Sequence, residues 1–406
     1  MLRRPSLTDP STKLVILGLL IRLVPAAFTA HPTDMQSWRT IGSAILNGQN
    51  PYTLSAYGLV YPPLWGLVCT IAYAFYAPTQ NPFVFNFLIK IPIIAADMAV
   101  AVTIEIIVLT LTKNRGTARR AMMLYLFNPV AIILSSFWGM FDALPAFLVL
   151  LSMILLNRKQ YLGSSLALGG GIAFKGFYPA LLLPLFMYTI VKTRREFKKA
   201  FGYLALSILP LAITSIPFLA ADAASFVNMT VTHFTQRPIS NLTYWFPIHL
   251  VFKQSENMIS TIGFIIFAAA FPAIYAYTLK KAGSRTITRT MTQIILAFYL
   301  TTLTVNEQYI VWLLPPMIIY AATEKPKMKI YLYALTAIVT IYLMANTGTA
   351  FFQPISSQLG QYQHLLPVMV ICSLLFPAFS AITLLKTMKE NGRELGTGQG
   401  SQVCDA

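Results

Sequence analysis

The chain has 406 residues, of which 56% are hydrophobic and only 11% are charged, and its mean hydropathy is +0.64. A soluble domain carries about 25% charged residues, so this composition excludes a soluble enzyme and indicates an integral membrane protein. The net charge of +17 comes from Lys and Arg clusters at the ends of apolar runs. That distribution is typical of cytoplasmic loops and argues against nucleic-acid binding.

Apolar runs alternating with basic loops predict an all-α, polytopic membrane bundle of about twelve transmembrane helices in one domain, residues 1–406. The predicted spans are 14–30, 87–111, 121–135, 141–156, 162–174, 177–191, 201–219, 259–279, 291–305, 309–322, 330–345 and 366–385. Residues 31–86 and 221–256 are predicted as long outer loops, and 387–406 as a disordered cytoplasmic tail. We therefore expect a multi-pass cell-membrane protein with both termini in the cytoplasm.

The first outer loop is predicted to contain two amphipathic helices on the outer face of the membrane. Thr33 and Gln36 have the spacing of a capping box, which predicts a helix that begins at Thr33. Asp34 then lies in the first turn, where the helix dipole favours an anion. Gly48 is a typical residue for the end of this helix.

The second predicted helix covers residues 61–76, a run too short to span the membrane unaided. Reading it as a span would also place the following basic loop outside. We therefore predict an interfacial helix with Trp65, Tyr73 and Tyr76 at the level of the lipid headgroups.

Few ionisable side chains lie near the predicted outer face, and charges at membrane depth are costly enough to suggest function. They are Asp34, Asp142, Lys175, Arg237 and Glu307, which could converge on one outward-facing cavity. Structural roles are also open: Asp34 can cap its helix, Asp142 can pair with Lys175, and Glu307 can close a turn. Arg237 can be a solvated loop residue.

Three ionisable residues at membrane depth need separate interpretations. Lys175 lies between two short apolar helices, away from the basic cytoplasmic loops, which favours a role as a phosphate partner. Lys90 and Asp97 are on one predicted helix, where either a structural pair or a role facing the bundle is expected.

Several short motifs occur in a fixed order along the chain. An Asp in the first outer loop is followed by L-N-G-x-N-P-Y, Y-P-P-L, F-N-P-V with S-F-W-G-M-F-D-A-L, F-K-G-F-Y-P, and N-E-Q-Y with W-L-L-P. The order resembles the polyprenyl-phosphate-sugar-dependent membrane glycosyltransferases of the GT-C class. It is similar in particular to a prokaryotic mannosyltransferase-like branch, related to GPI mannosyltransferases and to endoplasmic-reticulum glucosyltransferases of N-glycan assembly.

This resemblance implies that Asp34 is the catalytic base, because the class carries an acidic residue in its first outer loop. Some relatives have an acidic pair there, whereas this chain has the single acid of T-D-M-Q. We therefore expect no metal and no other cofactor. The predicted substrate-binding residues are Tyr61, Trp138, Asp142, Lys175, Tyr178, Arg237, Glu307 and Gln308. Trp38, Tyr52, Tyr61 and Trp138 could stack on sugar rings or anchor the chain at the interface.

The implied reaction transfers a hexose, with mannose expected, from a polyprenyl (dolichyl)-phosphate donor to a lipid-linked or glycan acceptor on the outer face, with inversion. Lys175 or Arg237 would meet the donor phosphate. The expected partners are this donor, the glycan or glycolipid acceptor and membrane lipids, with no nucleic acid. A transporter or lipid flippase is the alternative, although the sequence shows no internal repeat of the kind common in transporters. A scaffold without catalysis is a third reading.

Overall fold

The structure is a computed structural model that describes residues 9–194, 196–235, 239–252, 255–282, 287–348, 351 and 365–389. Most of these residues are helical. The helices are α1 (Pro10–Ala26), α2 (Pro32–Leu46), α3 (Pro63–Tyr76), α4 (Pro82–Thr112), α5 (Arg115–Leu126), α6 (Pro129–Ile132), α7 (Ala143–Asn157), α8 (Tyr161–Lys175), α9 (Phe177–Arg194), α10 (Phe197–Thr235), α11 (Trp245–Val251), α12 (Glu256–Ala282), α13 (Ile287–Thr301), α14 (Ile310–Thr323), α15 (Met328–Asn346) and α16 (Leu366–Lys389).

Four short elements accompany these helices. A π-helical turn (Ile133–Trp138) continues α6, and a 3₁₀ turn (Glu307–Tyr309) precedes α14. The strands β1 (Ser240–Asn241) and β2 (Thr304–Val305) pair in parallel. Helices α1 to α4 and α6 begin with proline, which suits the first helical turn because its N–H groups have no helical acceptor.

Within the described residues, five helices are long and apolar enough to cross a bilayer, or six if the bent pair of α5 and α6 with its π-helical turn counts as one span. The five are α4, α10 up to Thr230, α12, α15 and α16. Other predicted spans coincide with shorter helices, such as α7 with 15 residues and α14 with 14. The count of about twelve spans therefore stays a prediction.

Helix α14 lies at the centre of the bundle. Its residues from Ile310 to Ala321 are all buried, because α4, α5, α7, α13 and α15 pack around it. Helices α10 and α12 are mostly exposed apolar surface, as expected for helices that face lipid. Helix α10 extends through a break at Asp222 (φ −163°, ψ 92°), so the predicted outer segment 221–256 begins with helical residues.

The start of α2 differs from the predicted capping box. The N-cap is His31 and not Thr33, because Pro32 occupies the first helical position with its φ already suited to a helix. The Gln36 side chain contacts Thr40 and Arg39 instead of the N-terminus. Asp34 lies in the first turn, and Gly48 follows the helix with a φ of +72°, both as predicted.

Helix α3 packs against α2, α4 and α8, which changes the interpretation of its aromatic residues. Trp65 is fully buried and stacks on Phe141 with ring centroids 4.2 Å apart. The prediction that Trp65 lies at the headgroup level is therefore wrong, because protein atoms and not lipid cover this face. Tyr73 and Tyr76 are partly buried.

Candidate functional site

Asp34 lies in the first turn of α2 with its side chain 29% exposed. Its Oδ2 accepts a hydrogen bond from Trp138 Nε1 at 2.6 Å and lies 3.5 Å from His31 Nδ1. No described residue makes a recorded contact with Oδ1. The protein thus holds one oxygen of the carboxylate through a hydrogen bond.

His31 and Trp138 form a stacked pair beside this carboxylate, with ring centroids 4.6 Å apart and planes at 13°. The backbone N–H of His31 also donates to the Trp138 carbonyl at 3.5 Å. Burial lowers the pKa of His31 below its usual 6.5, and the Asp34 carboxylate acts in the opposite direction. A neutral His31 agrees with its Nδ1 accepting the Asp34 N–H at 3.4 Å.

Asp142 and Lys175 form a second, fully buried part of the site. Lys175 Nζ lies 2.6 Å from Asp142 Oδ2, and Trp312 Nε1 donates to Asp142 Oδ1 at 2.7 Å. The structure thus shows the ion pair that the sequence left open as a structural role. Asp142 follows Trp138 within one bend of the chain between the π-helical turn and α7, so this bend contributes to both parts of the site.

Aromatic rings surround the ammonium group of Lys175. Its Nζ is 5.0 Å from the ring centroid of Phe141, 5.3 Å from that of Tyr61 and 5.9 Å from that of Tyr309. These distances fall within the range of cation–π attraction. The rings stabilise the cation in a place that little water reaches.

The predicted residue Tyr178 packs behind this pair. Its ring stacks on Trp312 at 5.0 Å, and its hydroxyl donates to the Trp312 carbonyl at 3.5 Å. Tyr178 is fully buried, so in this conformation it supports Trp312 and does not present a surface to a ligand.

Glu307 and Gln308 lie in the 3₁₀ turn before α14, and both are buried. Asn346 Nδ2 donates to Glu307 Oε1 at 2.6 Å. Burial raises the pKa of Glu307 above its usual 4.5, and the negative charge of Asp34 adds to this rise. Gln308 Oε1 has no hydrogen-bond partner among the described residues.

The predicted residue Arg237 lies outside the described residues. Tyr61 lies beside Lys175, and Trp138 holds Asp34. Trp138, Trp38 and Tyr52 are all buried, so in this conformation none of the three presents a free face for stacking on a sugar. Within the described ranges, no three His, Cys, Asp or Glu side chains form a group that could hold a metal ion. The expectation of no metal stays a prediction.

The predicted alternative of a Lys90–Asp97 pair is wrong. Asp97 accepts from Arg22 Nε at 2.6 Å and from the Tyr125 hydroxyl at 2.7 Å. Lys90 Nζ donates to backbone carbonyls of α1 and the π-helical turn. Residues seven apart on a helix lie about 10 Å apart along its axis, which is too far for a direct pair.

Sequence reasoning gave no role to three residues that shape this site. His31 directly precedes a proline, which is a usual position for an N-cap. Trp312 lies inside the recognised W-L-L-P motif without having received a role. Asn346 carries no sequence signal, because its partner is distant in the chain. Lys90 was expected to pair with Asp97 or to face the bundle, but its contacts with backbone carbonyls were not predicted.

No protein-family model matches the sequence, and no curated protein matches it either. Among solved structures, ArnT from Cupriavidus metallidurans bound to undecaprenyl phosphate is similar, with a TM-score of 0.52 and 14% identity over 93% of this chain and 77% of that chain. The same protein in the apo state has a TM-score of 0.53 and 14% identity, covering 92% and 76%. At this identity the likeness shows a shared fold.

Proposed function

We propose that this protein is a hexosyltransferase that uses a polyprenyl-phosphate-linked sugar donor, with mannose as the first sugar to test. The acceptor is a lipid-linked or glycan hydroxyl at the outer face of the membrane. Asp34 is the general base. The fold shared with ArnT, whose structure holds undecaprenyl phosphate, supports a donor of this chemical class.

The observation that carries the proposal is the state of the Asp34 carboxylate. Trp138 fixes Oδ2 through a 2.6 Å hydrogen bond, and Oδ1 has no recorded partner within the described residues. A general base needs this combination, since its orientation must be fixed while one oxygen remains within reach of the proton to be removed.

The reaction follows as one displacement. Oδ1 of Asp34 takes the proton from the acceptor hydroxyl as the hydroxyl oxygen bonds to the anomeric carbon. The bond between that carbon and the phosphate oxygen breaks, and its electron pair stays on the departing polyprenyl phosphate. Attack opposite the leaving group inverts the anomeric configuration.

The leaving phosphate needs positive charge, and the chain offers two candidates. Lys175 already has the Asp142 carboxylate as counter-ion at 2.6 Å, so the pair is neutral as a unit. For Lys175 to bind phosphate, Asp142 must move or share the ammonium. Arg237 is the other candidate. Kinetics with Lys175→Met and Arg237→Met distinguish them, because loss of the phosphate partner raises the donor KM or lowers kcat far more than loss of the other.

Two results from the wild-type protein test the function itself. Purified protein in lipid nanodiscs is given radiolabelled polyprenyl-phosphate hexoses, one sugar at a time, with a mixture of membrane lipid and glycan acceptors. We expect donor-dependent transfer with inverted anomeric configuration in the product. Retention of configuration contradicts a single displacement. In a parallel assay with sealed proteoliposomes, passage of unchanged labelled donor across the bilayer without sugar transfer would replace the transferase with the flippase alternative.

A further inference from the structure

We infer that Lys90 is a positioning residue of the Asp34 site, which joins the two chain segments that carry the catalytic carboxylate and its indole partner. The effect of Lys90 on catalysis rests on the proposed function. The link that Lys90 makes between the two segments, called the tether below, rests on hydrogen bonds alone.

The Lys90 side chain is fully buried in α4. Its Nζ donates to the carbonyl of Ala26 at 3.0 Å, to that of Thr29 at 2.5 Å and to that of Phe137 at 3.1 Å. An ammonium group has three N–H donors, so these carbonyls use all of them. Among the described residues, its remaining hydrogen-bond partner is the Thr29 hydroxyl at 3.5 Å.

Both segments end where the ammonium lies. Helix α1 ends at Ala26, and the π-helical turn ends at Trp138. The last carbonyls of a helix have no helical donor, and the negative end of the helix dipole favours a cation there. Lys90 meets this need for two helical ends at once, which accounts for a buried charge that has no carboxylate among its hydrogen-bond partners.

Each of the two carbonyls that Lys90 contacts near the site, those of Phe137 and Thr29, lies within two residues of a side chain that contacts Asp34. Phe137 directly precedes Trp138, whose Nε1 holds Asp34 Oδ2. Thr29 lies two residues before His31, the N-cap of the helix that carries Asp34. A displacement of either carbonyl therefore changes the relative position of the indole and the carboxylate.

Gly139 shows how closely Lys90 packs against this bend. A Cβ atom at Gly139 would lie 2.9 Å from Lys90 Cε and 2.7 Å from Met35 Cε, and the glycine has a φ of +88°. Glycine is needed here both for the left-handed turn and for the approach of the lysine side chain.

Arg22 and Asp97 provide a comparison deeper in the same part of the bundle. The Arg22 guanidinium has Asp97 as counter-ion at 2.6 Å, and Tyr125 donates to the same carboxylate at 2.7 Å. This cluster is equally buried, but Ser135 of the π-helical turn donates to Asp97 Oδ2 at 3.0 Å, so the cluster also contacts the segment that carries Trp138. Tyr203→Phe is therefore the matched control, because the buried Tyr203 hydroxyl contacts two serines of α7 and α8 at 2.9 Å, outside the segments that Lys90 joins.

The first test needs no activity. Hydrogen exchange of the full-length protein in nanodiscs is followed in segments 27–35 and 134–141 for wild type, Lys90→Met and Tyr203→Phe. We expect Lys90→Met to speed exchange about tenfold or more in both segments, and Tyr203→Phe to leave both unchanged. Unchanged exchange in either segment of Lys90→Met overturns the tether. If Lys90→Met does not fold, Lys90→Gln, which keeps two N–H donors, is expected to show the same pattern to a smaller extent.

The second test asks whether the tether acts through Trp138. We expect Lys90→Met to lower kcat about tenfold in the wild-type background with an unchanged donor KM, and less than about twofold when Trp138→Phe is already present. If Lys90→Met lowers kcat by the same factor in the Trp138→Phe background as in wild type, the positioning role is overturned. If the wild-type protein transfers no sugar, the proposed function fails, and the exchange result still decides the tether.

Discussion

Breaking the buried Asp142–Lys175 pair is expected to cost far more stability than removing both charges together. The two side chains are 1% and 4% exposed and their charged atoms are 2.6 Å apart. Removing one partner leaves a buried charge without its counter-ion, which costs about 3–5 kcal/mol. In Lys175→Met, the hydrogen bond from Trp312 remains on Asp142, but one neutral donor does not replace the lost cation.

The double variant Asp142→Asn/Lys175→Met removes both charges and keeps an amide oxygen for Trp312. We expect its free energy of unfolding to return to within about 1–2 kcal/mol of wild type. The free energy of unfolding of Asp142→Asn, Lys175→Met and the double variant is measured by reversible unfolding in SDS, followed by far-ultraviolet circular dichroism. Lys199→Met, which breaks the exposed pair with Glu196, is the control and is expected to cost less than about 1 kcal/mol. A double variant less stable than either single variant refutes the reasoning.

Three further outcomes are expected. Trp138→Phe removes the N–H that holds Asp34, and we expect kcat to fall about tenfold or more, since a hydrogen bond to a charged group contributes about 1.5–3 kcal/mol; an unchanged kcat contradicts this. Glu307 has a raised pKa, so its contribution to stability is complete below pH 4.5 and is lost as the pH rises through its folded-state pKa; Glu307→Gln should remove this dependence from unfolding measured against pH. Gly42→Ala places a Cβ 2.5 Å from the Cys69 carbonyl oxygen between α2 and α3. We expect the free energy of unfolding to fall by about 1–3 kcal/mol in the SDS titration. An unaltered free energy of unfolding would show that the two helices separate easily.

The helical class of the fold follows from hydrophobicity, but the environment of each helix does not. Apolar runs mark α4, α15 and α16 closely, because long helices with few charges have a clear signature. Lipid and protein interior both select apolar side chains, so the sequence could not separate the exposed α12 from the buried α14. Trp65 was misplaced for the same reason.

The candidate site was predictable where one short stretch carries the information. The capping chemistry near Pro32 places Asp34 in the first turn of a helix. The prediction missed only the residue at which this helix begins. The partner of Asp34 was not predictable, because Trp138 reaches it through a π-helical turn about a hundred residues later. The partners of Lys90 were not predictable either, because they are backbone carbonyls, which every residue has.

The most direct test of the account compares kcat for hexose transfer from the polyprenyl-phosphate donor by wild type, Asp34→Asn and Glu105→Gln. Glu105 is a matched control, since it accepts from Ser11 at 2.6 Å and lies about 22 Å along α4 from Lys90. General-base catalysis contributes about 10²- to 10⁴-fold, so we expect Asp34→Asn to lose at least about a hundredfold in kcat while Glu105→Gln retains wild-type transfer. Equal kcat for Asp34→Asn and wild type contradicts the role of Asp34 as the base.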